Sequence, residues 1–378
     1  MHTRFNAVRT RRQFLQQLST GAAAVVGGVA LGACAKAAEA PANPALPGGR
    51  KLGVALVGLG SYATEQLAPA LLQTKNCQLA GVVSGSPEKA RRWARQYHLP
   101  ERSLYNYETM VDIAHNPDID IVYIVTPVGL HAEHVIRAAQ TGKHVISEKP
   151  MAGSVAECDA MIAACKAAGV KLSIGYRLHF QPMYRELMRL AREKDFGSFS
   201  RMNGEFGFYA GRKTWRQTKK LGGGGPLMDV GIYVIQAACM AAGEVPPVAV
   251  TAHELPKTRP QIFDEVEETI VFELQFADGA RCQGRSSYTE SYNRFRAEAP
   301  NGWFEVEPAY SYNGLDARTS KGRLPRATAN QQAAQMDDFA DCILAGRESE
   351  VRGEMGRRDI MITSAIYEAA RTGQRVTL

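Results

Sequence analysis

Residues 51–63 read Lys51-Leu52-Gly53-Val54-Ala55-Leu56-Val57-Gly58-Leu59-Gly60-Ser61-Tyr62-Ala63. The first seven fit a buried strand, and a helical pattern follows to Leu72. Between the two stands G-x-G-x-x-A, which in a strand–turn–helix context is the dinucleotide-binding fingerprint. Gly58 permits the tight turn and Gly60 lets the backbone approach a pyrophosphate. Ala63 allows close helix–strand packing, and the helix N-terminus faces the anion. Leu59, Ser61 and Tyr62 share that turn and are candidates to line the nucleotide.

The second predicted strand, Gln78 to Val83, bears on which nucleotide. About 20 residues past the glycines, NAD-binding chains place an acid for the ribose hydroxyls. Here the strand ends in Ser84-Gly85-Ser86, with Lys89, Arg91 and Arg92 just after. Hydroxyls and cations suit a 2′-phosphate that a carboxylate would repel, so the reading is NADP. The other reading of those basic residues is a solvated helix surface.

Further strands, Ile119 to Val125, Lys143 to Ser147 and Val170 to Ile174, alternate with helices at Leu130 to Thr141 and Val155 to Ala168. That alternation predicts a doubly wound parallel sheet. Thr126-Pro127 ends one strand and His131 opens the next helix; both are candidates for the nicotinamide side of the crevice, His131 equally for a helix cap. Glu148-Lys149-Pro150 closes the Lys143–Ser147 strand. Its lysine stands at the carboxyl edge of the sheet, where ligands bind in open α/β folds, or is a surface charge.

From Gly175 the alternation stops. Phe199 to Phe208, Val248 to His253, Thr269 to Phe276, Ala280 to Ser287 and Trp303 to Glu307 read as strands in series, with helices at Asn330 to Leu344 and Arg358 to Thr372. The fold class expected is α/β: an N-terminal Rossmann doubly wound parallel sheet (51–174) plus a C-terminal α+β domain (175–378). The second carries a large, mainly antiparallel, open sheet. A chain of 378 residues is long enough for two cores. Before most of those strands, Gly222 to Gly225 precede Pro226 and a helix on which Asp229 and Tyr233 share one face. The glycines suit a close ligand approach. Asp229 and Tyr233 read either as an acid–base pair or as a buried Tyr bonded to its own helix's Asp.

The first 50 residues are of another kind. Thr10-Arg11-Arg12-Gln13-Phe14-Leu15 precedes a run of Gly, Ala, Val and Leu from Gly21 to Ala33, which resembles a twin-arginine signal peptide (1–34). Export in the folded state suits a protein that loads a soluble cofactor in the cytosol, and the expectation is a periplasmic enzyme and the twin-arginine export machinery as partner. Leu31-Gly32-Ala33-Cys34 also fits a lipoprotein cleavage box with Cys34 as lipid anchor, while Ala35-Lys36-Ala37 and Ala38-Glu39-Ala40 are rival cleavage sites. Residues 35–50 then form an extended arm. Residues 1–50 hold six basic residues and one acid, +5 of the whole chain's +7, so the remainder carries about +2 and no nucleic-acid partner is expected. The other cysteines, Cys77, Cys158, Cys165, Cys239, Cys282 and Cys342, show no metal-ligand spacing, and none is expected to bind metal or form a disulfide.

Gly58-Leu59-Gly60, Thr126-Pro127, Glu148-Lys149-Pro150, Tyr176-Arg177 and the Asp229/Tyr233 helix together resemble the glucose–fructose oxidoreductase, inositol dehydrogenase and rhizopine catabolism family. The resemblance spans 51–378 and is nearest to its exported glucose–fructose and aldose–aldose branch, through Tyr176-Arg177-x-His179, Pro182 and Ala365 to Ala370. It implies hydride transfer between a nicotinamide and C1 of a sugar, with Lys149 and Tyr233 as catalytic pair supported by Asp229. A phenol titrates near 10, so Tyr233 needs a neighbouring cation, and Lys149 supplies it. Glu148 and Arg177 are expected beside the cofactor. Tyr176, Arg177, His179, Trp215 and Arg216 are expected on the sugar, with Tyr288 and Tyr292 either there or plain sheet-surface aromatics. The branch further implies tightly held NADP, a second sugar as hydride acceptor, and a homo-oligomer through the C-terminal sheet.

Overall fold

The structure is a computed structural model describing residues 49–326 and 329–378. The expected export signal, Cys34 and nearly all of the arm lie outside the described residues.

Strand β1 (Leu52–Val57) is buried at all six positions. It sits mid-sheet with β2 (Cys77–Val83), β3 (Leu104–Tyr105), β4 (Ile121–Ile124), β5 (His144–Ser147) and β6 (Leu172–Ile174). Their order is β3-β2-β1-β4-β5-β6, all parallel. Helices cover both faces of such a sheet, which is why its strands read as unbroken apolar runs. They are α1 (a π-helical turn Ala63–Leu67 continuing as Ala68–Leu71), α2 (Pro87–Tyr97), α3 (His131–Gln140) and α4 (Val155–Ala167). Ser86 and Ser154 cap α2 and α4 by accepting from the amides of Lys89 and Glu157. The strand order reverses between β1 and β4, and their carboxyl ends open the crevice that binds ligands in such folds.

Helix α5 (Pro182–Glu193), which the sequence reading passed over, leads into the second sheet. That sheet contains β7 (Arg201–Gly207), β8 (Ala249–Glu254), β9 (Thr269–Gln275), β10 (Arg281–Ser287), β11 (Tyr292–Ala299), β12 (Gly302–Val306), β13 (Ala317–Thr319), β14 (Gly322–Arg323) and β15 (Val376–Thr377). Its order is β14-β13-β12-β11-β7-β10-β9-β8-β15. Every pairing is antiparallel except β7 with β10. Five strands were expected here and nine are present among the described residues. β11 escaped notice because its Tyr-Asn-Arg-Phe-Arg-Ala-Glu-Ala alternation is masked by arginines that face solvent.

One face of this sheet is covered by α6 (a π-helical turn Leu227–Gly231 continuing as Ile232–Ala241) and by α8 (Gly353–Thr372). All ten residues of Ile232–Ala241 are buried, which makes α6 the central helix of the second half. The other face carries arginine–carboxylate pairs such as Arg294–Glu205, Arg281–Glu273 and Arg296–Glu305, with Arg296 stacked on Trp303. α7 (Gln331–Leu344) lies late in the chain yet packs Met336, Phe339 and Ala340 into one apolar cluster with β1 and β2. The six described cysteines are buried and free.

Candidate active site

A cleft of about 550 Å³ runs along the carboxyl edge of the parallel sheet. At its floor Gly58 holds φ +98°, a region closed to most L-residues, and a Cβ there would press on Thr126 Cγ2 at 3.0 Å. A Cβ on Gly60 would meet no protein atom within 4 Å, so the backbone itself faces the cleft. Leu59, Ser61 and Tyr62 line the same turn and Ala63 is fully buried behind it. Backbone amides at the head of α1 therefore face the cleft, an arrangement that fits a pyrophosphate.

The far end is lined by Ser84, Gly85, Ser86, Lys89 and Tyr107. Ser84 Oγ accepts from the Ser86 amide at 3.2 Å, which ties the β2–α2 turn together. Carboxylates line the cleft only at its other end, as Glu148 and Asp229. This set fits a phosphorylated ribose. Arg91 and Arg92 do not belong to it: both are exposed on α2, past the first turn that faces the cleft. Their expected nucleotide role is corrected accordingly.

Thr126, Pro127 and His131 line the middle of the cleft. His131 is not a helix cap. Its Nε2 lies 2.7 Å from the Thr126 carbonyl and its Nδ1 2.9 Å from that of Pro150, so it braces the loops after β4 and β5. Burial pushes its pKa below the usual histidine value, against the pull of those carbonyls. Glu148 is buried, accepts from Tyr123 Oη at 2.8 Å and from the Lys149 amide at 3.1 Å, and abuts Gly175, where a Cβ would lie 2.6 Å from its carboxylate. Burial raises its pKa, opposed chiefly by the Lys149 charge.

Lys149, Asp229 and Tyr233 converge where this cleft meets a second cavity of about 670 Å³. Lys149 Nζ donates to the Asp229 backbone carbonyl at 2.8 Å, lies 3.9 Å from its Oδ1, and stands 4.6 Å from the Tyr233 ring centre. The Tyr233 hydroxyl accepts from Arg177 Nε at 3.3 Å. Arg177 is 2% exposed, and its other nitrogens donate to Gln331 Oε1, the Tyr310 carbonyl and the Ser311 carbonyl. Burial disfavours its charge, but Tyr233 and neighbouring tyrosines more than offset this, so its pKa is raised overall and the guanidinium stays charged. Asp229 Oδ2 accepts from Tyr288 Oη at 2.9 Å and pairs with Arg216 Nε at 3.4 Å. Tyr233 is therefore not bonded to its own helix's Asp229; the two have separate partners.

Arg177 and Arg216 reach this junction as expected, Arg216 stacking on Trp215 at 4.4 Å. Arg177, however, lines the second cavity and not the nucleotide cleft. Tyr176 and His179 are corrected: both are buried and neither lines either cavity. Residues 177–180 form a tight 3₁₀ turn that sends Arg177 to the site and His179 to Glu244, at 3.2 Å. Tyr292 also lies outside both cavities, whereas Tyr288 enters the nucleotide cleft beside Asp229.

The glycine run serves both ligand approach and packing: Gly222 and Gly224 line the cleft, and the run is also tightly packed. A Cβ on Gly224 would lie 2.1 Å from Tyr367 Oη, and one on Gly225 2.4 Å from the Glu267 carbonyl. Buried Glu267 accepts from the amides of Gly225 and Leu227, each at 3.0 Å, and from Tyr367 Oη at 2.8 Å. A carboxylate thus anchors the head of α6, the helix that carries Asp229 and Tyr233. The sequence reading missed Glu267, Tyr310, Tyr312 and Gln331. Of these only the Tyr310-Ser311-Tyr312 aromatic pair after a strand was legible in the chain. Among the described residues no cluster of three or more His, Cys, Asp or Glu could hold a metal.

Residues 52–176 match the oxidoreductase family with an NAD-binding Rossmann fold, and residues 184–306 match the GFO/IDH/MocA C-terminal domain. The chain belongs to this GFO/IDH/MocA oxidoreductase family. It is 45% identical to an aldose-aldose oxidoreductase from Caulobacter crescentus solved with glycerol, over 87% of this chain and 100% of that one, with a TM-score of 0.85. A D-xylose 1-dehydrogenase [NADP(+)] of Haloarcula marismortui is 29% identical over 86% of this chain and 92% of its own length. Levoglucosan dehydrogenase, solved with NADH and levoglucosan, shares the fold at 22% identity and TM-score 0.75, over 87% of this chain and 99% of that one.

Proposed function

We propose that this oxidoreductase retains NADP, oxidises an aldose at C1 to the lactone and returns the hydride to a second sugar, giving the alditol. The observation that carries the reading is the meeting of Lys149, Tyr233 and Arg177 beside a dinucleotide cleft. The 45% likeness to an aldose-aldose oxidoreductase supports the substrate class. Ser84, Ser86 and Lys89, and the NADP(+) named for the xylose dehydrogenase, support the nucleotide.

The cofactor, when bound, supplies the redox chemistry as hydride acceptor and donor. Gly58, Gly60 and the head of α1 would hold its phosphates, and Thr126 and His131 would shape the space beside it. Tyr233, as the phenolate, takes the C1 hydroxyl proton, with Arg177 donating to the phenol oxygen and Lys149 over the ring offsetting the phenolate charge before transfer. Asp229 keeps Lys149 placed through its backbone carbonyl. On the return step the same groups hand the proton to the second sugar's carbonyl.

Residues Thr10 to Leu15 and Gly21 to Ala33 support export by the twin-arginine route to the periplasm, with or without a lipid at Cys34. An exported enzyme has no free NADP pool to exchange with, which is the reason for a second sugar. The uncovered face of the second sheet is the proposed oligomer contact.

The test uses purified mature protein with one aldose and no added cofactor. Equal lactone and alditol over many turnovers, with NADP released on denaturation, is the expected result. Turnover only after adding NADP would leave an ordinary dehydrogenase with exchangeable cofactor.

A further inference from the structure

The second cavity is short of hydrogen-bond acceptors. Lys149, Arg177, Arg212 and Arg216 line it against one carboxylate, Asp229, a formal surplus of three positive charges. Most of the side-chain acceptors that line it are engaged, the exceptions being Asp229 Oδ1, 3.9 Å from Lys149 Nζ, and the Tyr312 hydroxyl. Asp229 Oδ2 takes Tyr288 and Arg216, Asn293 Oδ1 takes the Tyr310 amide at 2.7 Å, and Gln217 Oε1 takes the amide and hydroxyl of Thr214, both at 2.8 Å. The charged groups that remain open are donors. Arg212 is exposed at the cavity and has no hydrogen bond or ion pair with any described residue. Arg216 commits only its Nε to Asp229.

A neutral sugar's hydroxyls both donate and accept, and find few free acceptors on this wall. A carboxylate or phosphate only accepts, and matches guanidinium donors directly. The geometry also gives a direction. Lys149, Asp229, Tyr233 and Arg216 line both cavities, whereas Arg212 lines only the second, away from the nucleotide. We propose, resting on the aldose reading above, that the preferred donor sugar carries an anionic group, carboxylate or phosphate, at the end remote from C1, held by Arg212 and Arg216. The chemistry at C1 is unchanged. The C1–H bond breaks with its electron pair leaving as hydride to the oxidised nicotinamide, the hydroxyl proton goes to Tyr233, and a C1 carbonyl forms. The hydride later reduces the carbonyl of a second sugar, and the anionic group is neither oxidised nor transferred.

The experiment measures kcat/KM of the mature enzyme for D-glucuronate, D-galacturonate, D-glucose 6-phosphate, D-glucose and D-galactose, each supplied alone at two salt concentrations. The expected result is at least a tenfold preference for an anionic aldose over its neutral counterpart, smaller at high salt. Arg212→Gln should lower that ratio about tenfold or more, as expected for one charge-assisted hydrogen bond, and Arg212→Glu further. A uronate preference assigns a carboxylate and a 6-phosphate preference assigns a phosphate. Neutral aldoses turned over as well as the anionic ones would overturn the inference and leave the aldose reading standing. A preference untouched in Arg212→Gln would also overturn it. Failure of every sugar, neutral ones included, would bring down the underlying reading instead.

Discussion

The two walls of this site are made of different material. The floor of the nucleotide cleft is backbone: a glycine at positive φ, a glycine open to the cleft, and the head of α1, all within one local strand–turn–helix unit. The wall at the Lys149–Tyr233 junction, where the sugar is proposed to sit, is side chains brought together over long sequence separations. Lys149 meets Asp229, Tyr288 reaches Asp229, and Arg177 joins Tyr233 to Gln331. A wall of local backbone needs only the correct turn. A wall of distant side chains needs the whole second sheet and α7 in place, so it should fail first and separately.

The sharpest separation should come from the reacting groups. Tyr233→Phe and Lys149→Met are each expected to lower kcat by roughly 10²–10⁴-fold, measured by product formation. NADP content released on denaturation should remain that of the unaltered enzyme; loss of nucleotide in step with activity would erase the distinction between the walls. Glu267→Ala should act one step further out, by freeing the head of α6. Loss of a buried carboxylate accepting two amides and a phenol should cost about 1.5–3 kcal/mol, read as a lower midpoint in urea with kcat falling alongside.

Acid should weaken the parallel-sheet half of the chain through His134 and His144. Burial depresses both, each to about 4, with neighbouring positive charge adding to the effect. Their unfolded forms bind protons near pH 6.5 while the folded forms do not, so the stability is present above that pH and lost as pH falls towards 4. His134 rests on Thr126 Oγ1 at 3.0 Å and stacks on Tyr107. Its loss of neutrality is expected to cost about 1–3 kcal/mol between pH 6.5 and 4, and His134→Gln should flatten that part of the Tm–pH curve. The smallest effect is expected from Ser86→Ala, which removes the cap of α2 at about 1 kcal/mol. A calorimetric titration should show NADP affinity falling more than NAD affinity.

The same contrast explains what could be read from the chain. The fingerprint at Gly58 and the alternation up to Ile174 were legible because periodicity and turn chemistry are local. Lys149, Asp229 and Tyr233 stood out because each follows a marked break, a proline or a glycine run. Tyr176 and His179 were misplaced because a 3₁₀ turn sends adjacent residues in different directions, which no short pattern reveals. The glycines were legible as a ligand approach but not as packing, because Glu267 and Tyr367, the groups that Gly225 and Gly224 make room for, lie far along the chain. Arg91 and Arg92 show the limit of composition: basic residues near a phosphate site need not face it.

In the proposed reaction one retained nicotinamide carries hydride from C1 of one sugar to another across the Lys149–Tyr233 junction. Deuterium at C1 of the donor aldose tests it directly, with a chemically distinct acceptor sugar, no added cofactor, and mass spectrometry of the alditol. One deuterium is expected on the reduced carbon of the alditol for each lactone formed, undiluted by a large excess of unlabelled NADPH in solution. Dilution by that NADPH, or alditol without deuterium, would contradict it.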